Sequence, residues 1–167
     1  MTETLSPLLP DFIERTAQRV LEKAAAAGLM LATAESCTGG LLASLLTDVE
    51  GVSSAFERGF IVYSEDAKCE LLHVARDQVD GCGAVSREVA VAMAEGALAA
   101  SHADVALSIT GFAGPGAPGD EPGLVHFACA RRGRVTAHEE HHFGDIGRGL
   151  TRVKCLETAL DMIDKAL

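Results

Sequence analysis

Apolar and polar positions follow two rhythms along this chain, and their order predicts its elements. Phe12, Ile13, Thr16, Ala17, Val20, Leu21 and Ala24 fall on one helical stripe, predicting a helix from Asp11 to Ala27 that Gly28 ends. A short apolar run, Gly28 to Ala32, then passes through Thr33-Ala34-Glu35-Ser36-Cys37-Thr38-Gly39-Gly40 into a periodic run from Leu41 to about Asp48. That is the pattern of a buried strand, a tight turn and a helix. Glu50 to Phe56 reads as a loop or short helical turn, and Gly59 to Tyr63, aromatic and β-branched, as a second strand. Ser64 is placed to cap a helix from Glu65 to about His73, and Asp80 to Ala84 reads as a loop. Ser86 caps a stronger helix to about His102, with Val89, Ala90, Met93, Ala94, Ala97 and Leu98 on its buried face. Ala103 to Ile109 is a mostly apolar strand, and Leu124 to Ala130 pairs with Arg134 to Phe143 through the turn at Arg131, Arg132 and Gly133. The last helix, Arg148 to Ala166, is expected to bury Leu150, Val153, Leu156, Leu160 and Ile163.

Helices alternating with strands, followed by a hairpin, predict an α/β fold: a three-layer α/β/α sandwich with a mixed sheet. It forms a single domain over residues 11–167, after a loose lead-in at residues 1–10 that Pro7 and Pro10 keep irregular. At 167 residues the chain is long enough to bury a full core without staples.

Charge and cysteine usage narrow the classes of partner. A formal net charge of −10 argues against a nucleic-acid surface, which needs clustered Lys and Arg. An anionic ligand would need a local site built from helix N-termini and a few arginines. Cys37, Cys69, Cys82, Cys129 and Cys155 are odd in number, scattered and without a C-x-x-C pair, which fits reduced thiols in a cytoplasmic protein. No apolar run approaches the ~18 residues of a membrane span.

Four features carry candidate chemistry. The turn at Ser36 offers a nucleophilic hydroxyl, with the Cys37 thiol beside it, near the unpaired N–H groups that begin a helix; Ser36 or Thr38 could equally serve only as its cap. Tyr63-Ser64-Glu65-Asp66-Ala67-Lys68 puts Lys68 one turn into a helix, from where its amine can point back to the strand end as a general base; a solvated lysine and a core tyrosine are the plain alternatives. Thr110-Gly111-Phe112-Ala113-Gly114-Pro115-Gly116 ends a buried strand in a glycine-rich loop, where open α/β sheets bind ligands, although it matches neither the P-loop nor the dinucleotide fingerprint. Arg148 and Arg152 share one face at the start of the last helix, an arrangement that a bound anion or a solvated surface would each tolerate. His138, Glu140 and His142 share a strand face with metal-ligand chemistry but have no further ligand group, so a solvated strand edge is expected.

Taken in order and spacing, Ala34 to Gly40, Phe56-Glu57-Arg58-Gly59, Tyr63-Ser64…Ala67-Lys68, Gly83-Ala84-Val85-Ser86 and Thr110 to Gly116 resemble the CinA C-terminal domain family, which includes nicotinamide mononucleotide deamidases. The resemblance covers residues 12 to 165 and implies a stand-alone form, without the N-terminal domain of longer members. It implies hydrolysis of a nucleotide carboxamide by Ser36 as nucleophile, Lys68 as base and Tyr63 orienting Lys68 or relaying its proton. Amides around Thr38, Gly39 and Gly40 would stabilise the oxyanion; the Thr110-Gly111 turn with one or both of Arg148 and Arg152 would hold the nucleotide phosphate, and Ala113 and Gly114 would join the substrate site. No metal or organic cofactor is required, the partner is a small nucleotide rather than nucleic acid or membrane, and a homo-oligomer is expected. Two departures stand out: a short Gly116–Gly123 loop, and the spread spacing Gly144-Asp145-Ile146-Gly147-Arg148, which weakens the claim of Arg148 relative to Arg152. A non-catalytic nucleotide-binding domain and a cysteine amidohydrolase using Cys37 are the competing readings.

Overall fold

The computed structural model describes residues 9–167, so most of the lead-in expected over residues 1–10 lies outside the described residues. The elements run α1 (Asp11–Ala27), β1 (Leu31–Glu35), α2 (Leu41–Thr47), a 3-10 turn (Ser53–Ala55), β2 (Phe56–Ile61), α3 (Glu65–Leu72), α4 (Arg76–Cys82), α5 (Arg87–Ala99), β3 (Val105–Gly111), β4 (Leu124–Arg131), β5 (Ala137–His142) and α6 (Arg148–Ala166). The five strands form one sheet in the order β2-β1-β3-β4-β5. β1 pairs in parallel with β2 and β3, while β3–β4 and β4–β5 are antiparallel, so the sheet is mixed.

Helices cover both faces, giving the three-layer α/β/α sandwich. On one face Ile13, Val20 and Leu21 of α1, Leu42 and Leu46 of α2, and Leu156, Leu160 and Ile163 of α6 pack on Leu31, Leu107, Ile109 and Phe127. On the other, Leu72, Val79, Val89, Met93 and Ala97 pack on Ala32, Ala34 and Ala106. Small strand residues on this second face let α5 lie close to the sheet. Burying a Leu, Ile, Val or Phe side chain contributes about 1.5–3 kcal/mol, so both faces stabilise the sandwich. No helix among the described residues is long and apolar enough to cross a membrane.

Several boundaries depart from the sequence pattern, each for a local reason. β1 lies later than the apolar run, because Thr33 and Glu35 are buried strand residues despite their polarity. β2 begins at Phe56 rather than Gly59, since an edge strand paired only to β1 tolerates the ion-paired Glu57 and Arg58. α4 has no counterpart in the sequence pattern, which assigns nothing to residues 74–79 and a loop to Asp80–Ala84: Val79 is its one buried residue, it has no side-chain cap, and Gly81 and Gly83 mimic turn chemistry. Leu150, expected in the core, is 62 % exposed in the first turn of α6. Phe12 is likewise exposed at the start of α1.

The topology positions the site. The three parallel strands end at one edge of the sheet, where Ser36, Tyr63 and Phe112 emerge from β1, β2 and β3.

Candidate active site

The turn after β1 is fixed by a residue that the sequence pattern did not single out as functional. Glu35 is fully buried, and its carboxylate accepts from the Thr38 hydroxyl at 2.7 Å and from the amides of Gly40 (3.2 Å), Leu42 (3.0 Å) and Ala43 (2.8 Å). The cap of α2 is therefore Glu35, reaching forward over the turn, and not the hydroxyl of Ser36 or Thr38. Gly39 and Gly40 take left-handed conformations, with φ of 60° and 96°, that fold the chain tightly enough for this reach. The Gly39 amide donates to the Ser36 carbonyl and the Gly40 amide to Glu35, so neither is left as an oxyanion donor. That corrects the expectation for these two residues. The amides of Cys37 and Thr38 bond to no oxygen among the described residues.

The Ser36 hydroxyl, freed from capping, faces a lysine. Lys68 lies on α3, whose start is capped by the Ser64 hydroxyl accepting from the Ala67 amide. Its side chain is only 1 % exposed. The amine stands 3.0 Å from Ser36 Oγ and donates to the Val62 carbonyl at 2.8 Å. No carboxylate lies within ion-pair distance of it among the described residues. Burial holds its pKa below the ordinary lysine value, while the nearby Cys37, Glu65 and Cys69 pull the other way.

Ser36 and Lys68 open into a cavity of about 350 Å³, within the range of small-molecule sites. Tyr63, Val85, Thr110, Gly111, Phe112, Ala113, Gly114 and Arg148 share its lining, so the three strand ends and the glycine-rich loop converge there. Tyr63, however, is 69 % exposed and bonds to neither Ser36 nor Lys68; the Val62 carbonyl orients the lysine instead. The Thr110 hydroxyl is engaged by the Ala84 carbonyl at 2.8 Å. Gly111 serves strand packing, since a Cβ there would meet the Leu124 carbonyl oxygen and the Val125 side chain at 2.7 Å. Gly111→Ala is accordingly expected to cost about 1–3 kcal/mol by overpacking, seen as a lower Tm; an unchanged melt would refute this packing role.

The two arginines separate. Arg152 donates from Nε to the Cys37 carbonyl at 3.0 Å and so braces the serine turn. Arg148 lies against Gly114 in the cavity wall, and no carboxylate is within ion-pair distance of it among the described residues. Of the two, Arg148 shares the cavity lining and Arg152 is engaged by the serine turn.

Comparison with known proteins is consistent over most of the chain. Residues 13–167 match the family profile described as the CinA C-terminal domain. The chain belongs to this family. A CinA-like protein of Leptospira borgpetersenii is 46 % identical over 136 residues, covering 80 % of the chain, and one of Chlorobium phaeobacteroides is 46 % identical over 145 residues, covering 84 %. The chain spans about a third of the length of these curated relatives, with 32 % and 34 % of each aligned. The crystal structure of the competence/damage inducible protein CihA from Agrobacterium tumefaciens superposes with a TM-score of 0.90 at 45 % identity, covering 95 % of this chain and 97 % of that one. A CinA superfamily protein from Escherichia coli gives 0.87 at 32 % identity, covering 100 % and 96 %.

Elsewhere in this CinA domain, two further clusters resolve. Cys37 is buried in the core beside Cys155 and also lines the cavity next to Ser36. Its hydrogen bond with Cys155 lowers the Cys37 pKa, with Arg152 assisting, and raises that of Cys155. His138, Glu140 and His142 do share a face of β5. They are tied up in contacts: His138 Nε2 to His126 Nδ1 at 3.0 Å, and His142 to Glu140 and Glu121 at 2.8 and 2.7 Å. Among the described residues no three His, Cys, Asp or Glu side chains are arranged to hold a metal ion.

Proposed function

We propose that this chain is an amidohydrolase that deamidates nicotinamide mononucleotide to nicotinate mononucleotide and ammonia through a Ser36–Lys68 pair. The observation that carries the reading is the buried Lys68 amine 3.0 Å from Ser36 Oγ with no carboxylate partner among the described residues. A binding module has no use for such an amine, whose burial opposes folding. A covalent hydrolase needs it.

In the proposed reaction the neutral Lys68 amine accepts the Ser36 proton as Oγ bonds to the carboxamide carbon. The oxyanion so formed is met by the Cys37 and Thr38 amides, the donors left in the turn; one such donor is typically worth about 3–4 kcal/mol. Lys68 then passes its proton to the leaving nitrogen, the C–N bond breaks, and ammonia departs from an ester of Ser36. Water, losing a proton to Lys68, attacks that ester; Lys68 returns the proton to Ser36 Oγ as the carboxylate product leaves. Arg148 in the cavity wall suits the nucleotide phosphate, offering a bidentate cation in a chain of net charge −10.

The decisive experiment is ammonia release from nicotinamide mononucleotide by the purified protein, with Ser36→Ala as control. Equal amounts of ammonia and nicotinate mononucleotide are expected; their absence overturns the reading. The arginines give a second, sharper test. Arg148→Ala should raise KM for the nucleotide by about 10- to 100-fold, as loss of a charge-assisted pair does, and leave the phosphate-free riboside little affected. Arg152→Ala should lower kcat for both, because it loosens the turn rather than a ligand contact. Equal losses for nucleotide and riboside in Arg148→Ala would remove Arg148 from the phosphate site.

A further inference from the structure

The fully buried Glu35 carboxylate meets four donors, all from the eight residues that follow it, and touches none of the groups in the reaction above. Three of those donors are backbone amides at the start of α2, a place where a helix ordinarily leaves N–H groups open. The fourth, the Thr38 hydroxyl, lies two residues past Ser36. Between Glu35 and these anchors runs the segment that carries the nucleophile. Its other ties are mostly to backbone: the Ser36 amide donates to the Ile109 carbonyl at 3.0 Å, the Gly39 amide to the Ser36 carbonyl at 3.1 Å, the Leu41 amide to the Thr38 carbonyl at 3.1 Å, the Ser44 amide to the Gly40 carbonyl at 2.9 Å, and Arg152 to the Cys37 carbonyl, beside the Lys68 contact to Ser36 Oγ.

We infer that Glu35 is a positioning residue: its carboxylate, closed over the start of α2, holds the Ser36–Gly40 turn in the conformation that aims Ser36 Oγ at Lys68. The inference rests on the Ser36–Lys68 reading. A carboxylate suits the role because both oxygens accept, and every group converging on them is a donor. A glutamine would turn an NH₂ toward at least one of those donors, so the loop would have to shift with little change in volume. An anion at this helix end also faces the positive end of the local peptide dipoles, which favours its charge. α2 therefore receives its negative charge from within the chain, and the substrate anion is left to Arg148.

Glu35→Gln and Thr38→Val test the inference through Ser36 reactivity, which needs no amide substrate. The probe is phenylmethylsulfonyl fluoride, and the measure is the rate of covalent labelling by mass spectrometry, with Ser36→Ala as the unlabelled control. Glu35→Gln is expected to slow labelling by about 100-fold, the loss a displacement near 1 Å can cause, and to lower kcat for nicotinamide mononucleotide by a similar factor with KM within about twofold. A purely structural role would lower Tm yet leave both rates per folded molecule intact. Unchanged labelling in folded Glu35→Gln overturns the inference. If that variant does not fold, Thr38→Val decides: it keeps the carboxylate and its three amide donors, and slower labelling supports positioning, whereas unchanged labelling overturns it. Wild-type protein that is labelled at Ser36 but releases no ammonia refutes the proposed substrate and leaves the positioning role standing. A wild type whose Ser36 takes no label refutes the serine mechanism and this inference with it.

Discussion

Ser36→Ala is expected to abolish turnover, by on the order of 10⁶-fold, while the protein melts close to the wild-type temperature. Both halves follow from the geometry. Chemically, the Ser36 hydroxyl is the nucleophilic oxygen 3.0 Å from the buried amine, and alanine leaves nothing to attack a carbonyl. Structurally, that hydroxyl caps no helix, since Glu35 closes α2; the usual loss of about 1 kcal/mol for a missing cap does not apply. Cys37→Ala should behave oppositely. Its thiol fills core space beside Cys155, so the variant loses stability but keeps most of its activity. Circular dichroism melts and ammonia assays on the two variants decide the matter. An inactive Cys37→Ala alongside an active Ser36→Ala would transfer the nucleophile to the thiol.

Much of this architecture was legible because burial sets its pattern. α1 and α6 fall within the limits that their apolar stripes predict, and Gly28 ends α1 in a left-handed conformation. α4 was illegible because it contributes one buried side chain and so leaves no periodic trace. β2 was clipped because an edge strand pairs on one side only and can carry Glu57 and Arg58.

The site divides along similar lines. Helical spacing was enough to turn Lys68 back toward the strand end, where the structure places it against Ser36. Glu35 escaped notice because a strand residue before a turn reads as half-buried, and only the three-dimensional return of the chain aims four donors at it. A signal was nonetheless present: an acid at the last position of an otherwise uncharged strand, with no lysine or arginine nearby in sequence to pair with. Arg148 and Arg152 could not be told apart from spacing. Four residues apart they share a helix face, and only the depth of the turn beneath α6 sends one to the Cys37 carbonyl and the other to the cavity.

Replacement of Lys68 carries the other large effect. Lys68→Met and Lys68→Arg are each expected to lose at least about 100-fold in kcat, the lower end of what a general base supplies. Methionine reaches as far as the lysine Cε without an ionisable group, and arginine keeps a charge that does not come off in this range. The wild-type rate should rise with pH through the lowered lysine pKa, because the amine accepts the Ser36 proton only when neutral; that limb should vanish in Lys68→Met. Stability gives the same lysine a second signature. The unfolded chain holds the Lys68 proton up to the ordinary value of 10.5, whereas the folded chain releases it earlier. Between those two values the unfolded state binds more protons, so this group makes stability rise with pH across that window and opposes folding below it. Lys68→Met removes the opposition, and the variant should melt no lower than wild type at neutral pH while being catalytically dead. Lys68→Arg, larger and permanently charged in a fully enclosed position, should melt lower. Thermal melts at several pH values and initial rates of ammonia release test these outcomes together. Near-normal turnover in Lys68→Met would mean that another group takes the serine proton, and the buried amine would then need a different explanation.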